Sequence, residues 1–226
     1  LVMEYAAGGT LRERLNQPGQ LEAEQVIEIS RQICAAVAYA HDQDVMHRDL
    51  KPENIFFHQG GVKIGDFGVA RVTAGSASSA TRGTGTLAYM APEQFSAKYD
   101  RRVDIWALGV MMYEMVVGEQ PYRGEDQQVI FGIVEPTAVV IPSAVTDPLK
   151  RVMEKVLEKD PDQRYQGADQ IIEALEGGAR EEGELQKATD SSLSVAEKQQ
   201  TIKRGEKELA EDETELGQEK LKTVTG

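Results

Sequence analysis

Three stretches of this 226-residue chain predict an α+β fold that is mainly α-helical with short β-hairpins. From Glu22 to Gln43 apolar residues fall at Val26, Ile29, Ile33, Val37 and Ala40, the three-to-four spacing of an amphipathic helix that buries one face. From Ile105 to Val117 the chain reads IWALGVMMYEMVV, apolar on every side, as expected of a helix at the centre of a core. Ile55-Phe56-Phe57 and Val62-Lys63-Ile64 are short β-branched and aromatic runs joined across Gln59-Gly60-Gly61, a hairpin signal.

The remaining elements follow in order. Gly8-Gly9 ends an opening strand, and Thr10 caps a short helix that runs through Asn16 until Pro18-Gly19 breaks it. Residues 69–85 hold Thr73, Ser76, Ser78, Ser79, Thr81 and Thr84 with three glycines and few apolar side chains, which predicts a flexible loop. Asp147-Pro148 predicts a helix start, with Asp as cap and Pro at the first helical position. Asp160 to Tyr165 is a turn before a last short helix, Ala168 to Leu175, and Gly177-Gly178 closes a domain spanning 1–178.

Residues 179–226 contain no aromatic residue and no proline. Val195, Ile202, Leu209 and Leu216 recur every seven residues, but the positions four further on are Gln199, Glu206, Glu213 and Lys220. One apolar residue per heptad does not make a coiled-coil seam, so this acidic polar tail is expected to be helical and solvated, or disordered.

Composition narrows the function. A formal net charge of −13 repels nucleic acid and anionic membrane. Cys34 is the one cysteine, which excludes a disulfide framework and a thiolate metal cluster and suits a reducing, cytoplasmic compartment. His41, His47 and His58 show no metal-ligand spacing. The apolar run at 105–117 is too short, and with Glu114 too polar, to span a bilayer, so membrane attachment would need an anchor outside this sequence.

The tightest signal is His47-Arg48-Asp49-Leu50-Lys51-Pro52-Glu53-Asn54, followed twelve residues later by Asp66-Phe67-Gly68 and then by Ala91-Pro92-Glu93. A carboxylate, an ammonium, a carboxamide and a second carboxylate at fixed spacing are the groups that move a phosphoryl group from a magnesium nucleotide to a hydroxyl. Together the three ordered motifs resemble the serine/threonine protein kinase signature over residues 1–175. The wording GTLAYMAPEQ is most similar to bacterial eukaryotic-like kinases. The resemblance implies a protein-kinase-like fold and starts at the hinge, so it covers the large lobe only. The family's Gly-rich loop, strand lysine and helix glutamate would fall before Leu1. A chain with only this half is expected to show little activity alone.

The resemblance also implies roles. Asp49 would orient or accept the substrate hydroxyl proton, Lys51 would neutralise charge on the transferring phosphate, and Thr86 would hydrogen-bond both. Asn54 and Asp66 would hold Mg2+, with Mn2+ as an alternative, through hard oxygen ligands. Met3 would guard the nucleotide pocket, the backbones of Glu4 and Ala6 would meet the adenine of ATP, and Phe56 would lie beneath the ring. His47, Phe67 and Asp104 would stack and cap one another as a structural spine. Glu93 would bridge to Arg164, and Trp106 and Gly109 would mark the central helix. Cys34 reads as a small core hydrophobe.

Arg48, beside the catalytic aspartate, calls for an anion, and a phosphate on Ser78, Ser79 or Thr81 would supply it. Expected partners are proteins bearing Ser or Thr, with self-association for autophosphorylation. Glu53 and Glu114 resemble positions that read basic residues near the acceptor; the opposing reading makes both solvated surface carboxylates. Thr10 departs from relatives that place an acid at its position. A rival reading from another class is a pseudokinase, or a non-catalytic interaction module built on a kinase large lobe.

Overall fold

A computed structural model describes residues 6–19, 21–67, 86–96 and 98–177. Helix α1, Leu11–Leu15, opens on a capping box in which Thr10 Oγ1 accepts the Glu13 N–H and the Glu13 carboxylate accepts the Thr10 N–H. Helix α2 is Ala23–Asp42, and its buried face carries Val26, Ile29, Ile33, Val37 and Ala40 at the spacing read from sequence. Strands β1, Ile55–His58, and β2, Gly61–Ile64, pair antiparallel with Ile55 opposite Ile64 and His58 opposite Gly61. The turn is therefore two residues long, not three. Gln59 and Gly60 both take positive φ, 50° and 80°, as the tightest hairpins require. Gly61 is already strand.

Helix α3, Arg102–Val117, is the axis of the fold. Every residue from Val103 to Met115 is buried, including the polar Asp104 and Glu114. Both α2 and helix α5, Leu149–Val156, pack on it. Gly109 permits the second contact: a Cβ there would lie 2.5 Å from Val156 Cγ2 and 2.9 Å from Leu157 Cδ2. Helix α4 is Asp126–Val134, and helix α6 covers 168–177. Short 3-10 turns at Pro52–Asn54, Leu87–Tyr89, Pro92–Phe95 and Pro161–Gln163 connect them.

The start of α5 differs from expectation. Pro148, not Asp147, is the cap residue, and no side chain caps this end. The Lys150 N–H reaches back to the Thr146 carbonyl at 3.1 Å, so the orphan donor is met by backbone. The Asp147 carboxylate instead meets Arg151 at 3.1 Å, one turn along. Among the described residues no helix is long and apolar enough to cross a membrane. The loop expected at 69–85 and the tail after 178 lie outside the described residues.

Candidate functional site

The site hangs from Asp104, in the first turn of α3 and 1% exposed. Its Oδ2 accepts the His47 N–H at 2.9 Å and its Oδ1 accepts the Arg48 N–H at 2.8 Å. The ring Nε2 of His41, from α2, completes the set at 2.8 Å from Oδ2. A buried carboxylate is stable only when its lone pairs are filled, and here they are filled by the backbone that carries the motif. This holds Arg48 at φ 70°, a left-handed conformation that a non-glycine residue adopts only when its surroundings impose it.

His47 ties the motif to the hairpin. Its Nε2 lies 2.8 Å from the Gly65 carbonyl and its Nδ1 accepts the Asp49 N–H at 3.3 Å, which one tautomer, protonated on Nε2, satisfies. The Phe67 ring meets the imidazole edge-on at 4.7 Å. Asp66, between them in sequence, takes φ 59°. The Gly65 N–H bonds the Asn54 carbonyl at 2.9 Å, so Asp66 emerges beside Asn54. The Asn54 amide donates to the Asp49 carbonyl at 2.9 Å and fixes the loop from within.

At the working end, Lys51 Nζ lies 2.9 Å from Asp49 Oδ2 and 3.1 Å from Thr86 Oγ1. Thr86 thus connects to Asp49 through the ammonium. Both charged groups stay partly open, 18% and 22% exposed. Gln94 donates to the Arg48 carbonyl at 3.3 Å and ties the Ala91-Pro92-Glu93 segment to the loop. The Arg48 Nε is buried and has no hydrogen-bond partner among the described residues.

The protein kinase domain profile matches residues 1–175. The chain belongs to the protein kinase domain family. It is 35% identical over 76% of its length to an Aurora kinase of Dictyostelium discoideum, covering 44% of that protein. It is 36% identical to the serine/threonine-protein kinase PknB of Mycolicibacterium smegmatis, over 76% of this chain and 29% of that one. PrkC of Bacillus subtilis is 33% identical over 76% of this chain and 28% of its own. The chain therefore spans less than half the length of these relatives.

In this kinase domain Glu93 and Arg164 form a two-pronged pair at 2.7 and 2.9 Å, with the guanidinium stacked 4.9 Å from the Trp106 ring. The Phe56 ring backs onto Gly65, where a Cβ would lie 2.6 Å away. Ala6 is half-buried. Met3, Glu4, Ser78, Ser79 and Thr81 lie outside the described residues. Cys34 is fully buried, and burial pushes its thiol well up, away from nucleophile chemistry.

Two features escaped the sequence reading. His41 is a buried partner of Asp104. The other concerns Glu53, which is exposed as the surface reading expects, and Glu114, which is not. Glu114 is buried, not solvated, and Arg12 engages both carboxylates, at 2.7 Å to Glu53 and 2.8 Å to Glu114. Tyr89 donates its hydroxyl to Glu114 and accepts from Gln120 at 2.8 Å. Burial and the neighbouring Glu114 charge hold the Tyr89 phenol far above its usual range.

Proposed function

We propose that this chain carries the catalytic centre of an ATP- and magnesium-dependent kinase that phosphorylates serine and threonine residues of proteins. The observation that carries this reading is the Asp49–Lys51–Thr86 hydrogen-bonded chain, partly open to solvent and mounted on a loop that buried Asp104 holds rigid. Asp49 orients the acceptor hydroxyl and receives its proton. Lys51 keeps the carboxylate in place and offers a cation to the transferring group. Phosphoryl transfer has a loose transition state, so positioning and charge matter more than base strength.

The residues fit a hard divalent cation. Asn54 spends its amide N–H on the Asp49 carbonyl, leaving its side-chain oxygen as the remaining ligand atom. The Asp66 carboxylate is exposed and has no ion-pair partner among the described residues. Asn54 and Asp66 would hold Mg2+, or Mn2+ in its place, which when bound neutralises phosphate oxygens. Ala6 and Phe56, with Met3 and Glu4, would receive the adenine. The compartment this chemistry implies is the cytoplasm.

Asp49→Asn and Asp66→Asn in the kinase-active protein test the reading. Each is expected to cut turnover by about 10²–10⁴-fold while leaving the nucleotide-free thermal midpoint nearly unchanged. Near-normal turnover of Asp49→Asn would remove the catalytic assignment of this residue.

Regulation follows from the Arg48 Nε, buried and without a hydrogen-bond partner among the described residues. A buried cationic donor is costly to leave unmet, and a phosphate at Ser78, Ser79 or Thr81 would meet it with charge-assisted bonds. Autophosphorylation between two copies would place it there. Mass spectrometry of the active protein is expected to find phosphate in this window. Its absence from 73 to 84 would mean that Arg48 is satisfied in some other way.

A further inference from the structure

The acidic pair beside the active site already holds a cation. Glu53 lies one residue before Asn54, on the 3-10 turn Pro52–Asn54, and Glu114 projects from α3 toward Tyr89. Between them sits Arg12 of α1, 41 residues from one carboxylate and 102 from the other. Its Nε meets Glu53 at 2.7 Å, and Nη1 and Nη2 meet the two oxygens of Glu114 at 2.8 and 3.3 Å. The planar fork of a guanidinium suits this grip. Leu11 and Leu15, on either side of Arg12 in α1, pack in or against the core, so the helix holds Arg12 over the pair.

We infer that Arg12 is a specificity-determining residue that occupies the Glu53 and Glu114 carboxylates from within and so keeps basic substrate side chains off them. Glu53 lies in the turn that ends at Asn54, and Glu114 is bonded to Tyr89, three residues past Thr86, so on the kinase reading a peptide acceptor placed at Asp49 passes close to the pair. With Arg12 in place the carboxylates are neutralised and a substrate arginine gains nothing there. Without Arg12, Glu114 is buried with its hydroxyl partner but no cation, and an external guanidinium becomes its best partner. Burial works against the Arg12 charge, but the Glu114 and Glu53 carboxylates outweigh it and hold the guanidinium firmly protonated.

The inference takes its meaning from the kinase reading, but its geometry can be tested without turnover. Arg12→Ala in this chain is measured by thermal shift and circular dichroism with methylguanidinium at low millimolar concentration, and separately with an arginine-containing peptide and its citrulline twin. Arg12→Ala is expected to gain stability, or to refold if it is unfolded, with methylguanidinium and with the arginine peptide only. The wild type and Arg12→Ala/Glu114→Gln are expected not to respond. A failure of Arg12→Ala to respond overturns the inference, whether the variant starts folded or unfolded. In a phosphorylation assay of the kinase-active protein the arginine-over-citrulline preference is expected to rise about tenfold in Arg12→Ala, the factor one charge-assisted pair provides. Absence of turnover from this chain alone is the expected result for a large lobe without its small lobe, and the cation-binding result decides the inference apart from it.

Discussion

Two ion pairs in this domain use similar chemistry and differ in what they leave over. Arg164 and Glu93 are sealed, at 0% and 12% side-chain exposure. All five guanidinium N–H groups are used: two on Glu93, and one each on the Glu158, Lys159 and Arg102 carbonyls. Lys51 and Asp49 stay partly exposed, and the ammonium has two partners among the described residues, Asp49 and Thr86. One of its three N–H groups is left without a partner among the described residues. A saturated pair stabilises the fold and can do nothing else. An unsaturated pair in partial contact with water contributes little to stability and is available for chemistry.

Breaking each pair separately sharpens the contrast. Arg164→Met leaves Glu93 half-sealed without its cation and strands three backbone carbonyls. Its expected cost is about 3–5 kcal/mol of unfolding free energy, read from a urea midpoint. Lys51→Met should do the reverse. The urea midpoint is expected to move little, while turnover in the kinase-active protein falls by about 10²–10³-fold, the usual loss when one pre-placed donor is removed. If Lys51→Met destabilised the fold as much as Arg164→Met, the division between the two pairs would be wrong.

The contrast extends to close packing. Gly109 sits on the sealed side, where α3 and α5 touch. Gly109→Ala would press a methyl group against Val156 and Leu157, which must shift because the interior has no spare volume. Overpacking of this kind costs about 1–3 kcal/mol, and urea unfolding is expected to show it with the catalytic loop unaffected.

How much of this was legible in the sequence depended on distance along the chain. The helix at 23–42 and the central helix announce themselves by period and by unbroken apolarity. The motif residues from His47 to Asn54 are close neighbours in the chain, so their spacing carries their relation. Arg12 and Glu114 are 102 residues apart, and His41 and Asp104 are 63 apart. No periodicity marks such pairs, and Arg12 sits on a five-residue helix too short to show one. A buried glutamate in the apolar run was visible, and its partner was not. At Asp147-Pro148 a local rule competed with two partners it ignores, the Thr146 carbonyl and Arg151.

The smallest expected effect is in alkaline solution, where buried groups oppose one another. Burial and the nearby Arg164 charge lower Lys159 to about 8, against about 10.4 in an unfolded chain. Between those values the unfolded chain binds the extra proton, so this group makes stability rise with pH. Cys34 acts in the opposite sense. Burial keeps its thiol protonated in the fold, while an unfolded thiol ionises near about 8.5, so its contribution is lost as pH climbs past that point. Tyr122, raised by burial to about 12, and Tyr89, raised further, join it above an unfolded value of about 10. In the wild type the Lys159 gain and the Cys34 loss offset each other from about pH 8.5 to 10, and stability falls steeply only beyond that. Cys34→Ala removes one side of the balance. Its urea midpoint is expected to start lower, through lost packing, and then to rise between pH 8 and 10 before the tyrosines reverse it. Lys159→Met is expected to fall steadily over the same range. Parallel curves for the two variants would show that neither buried group is linked to folding.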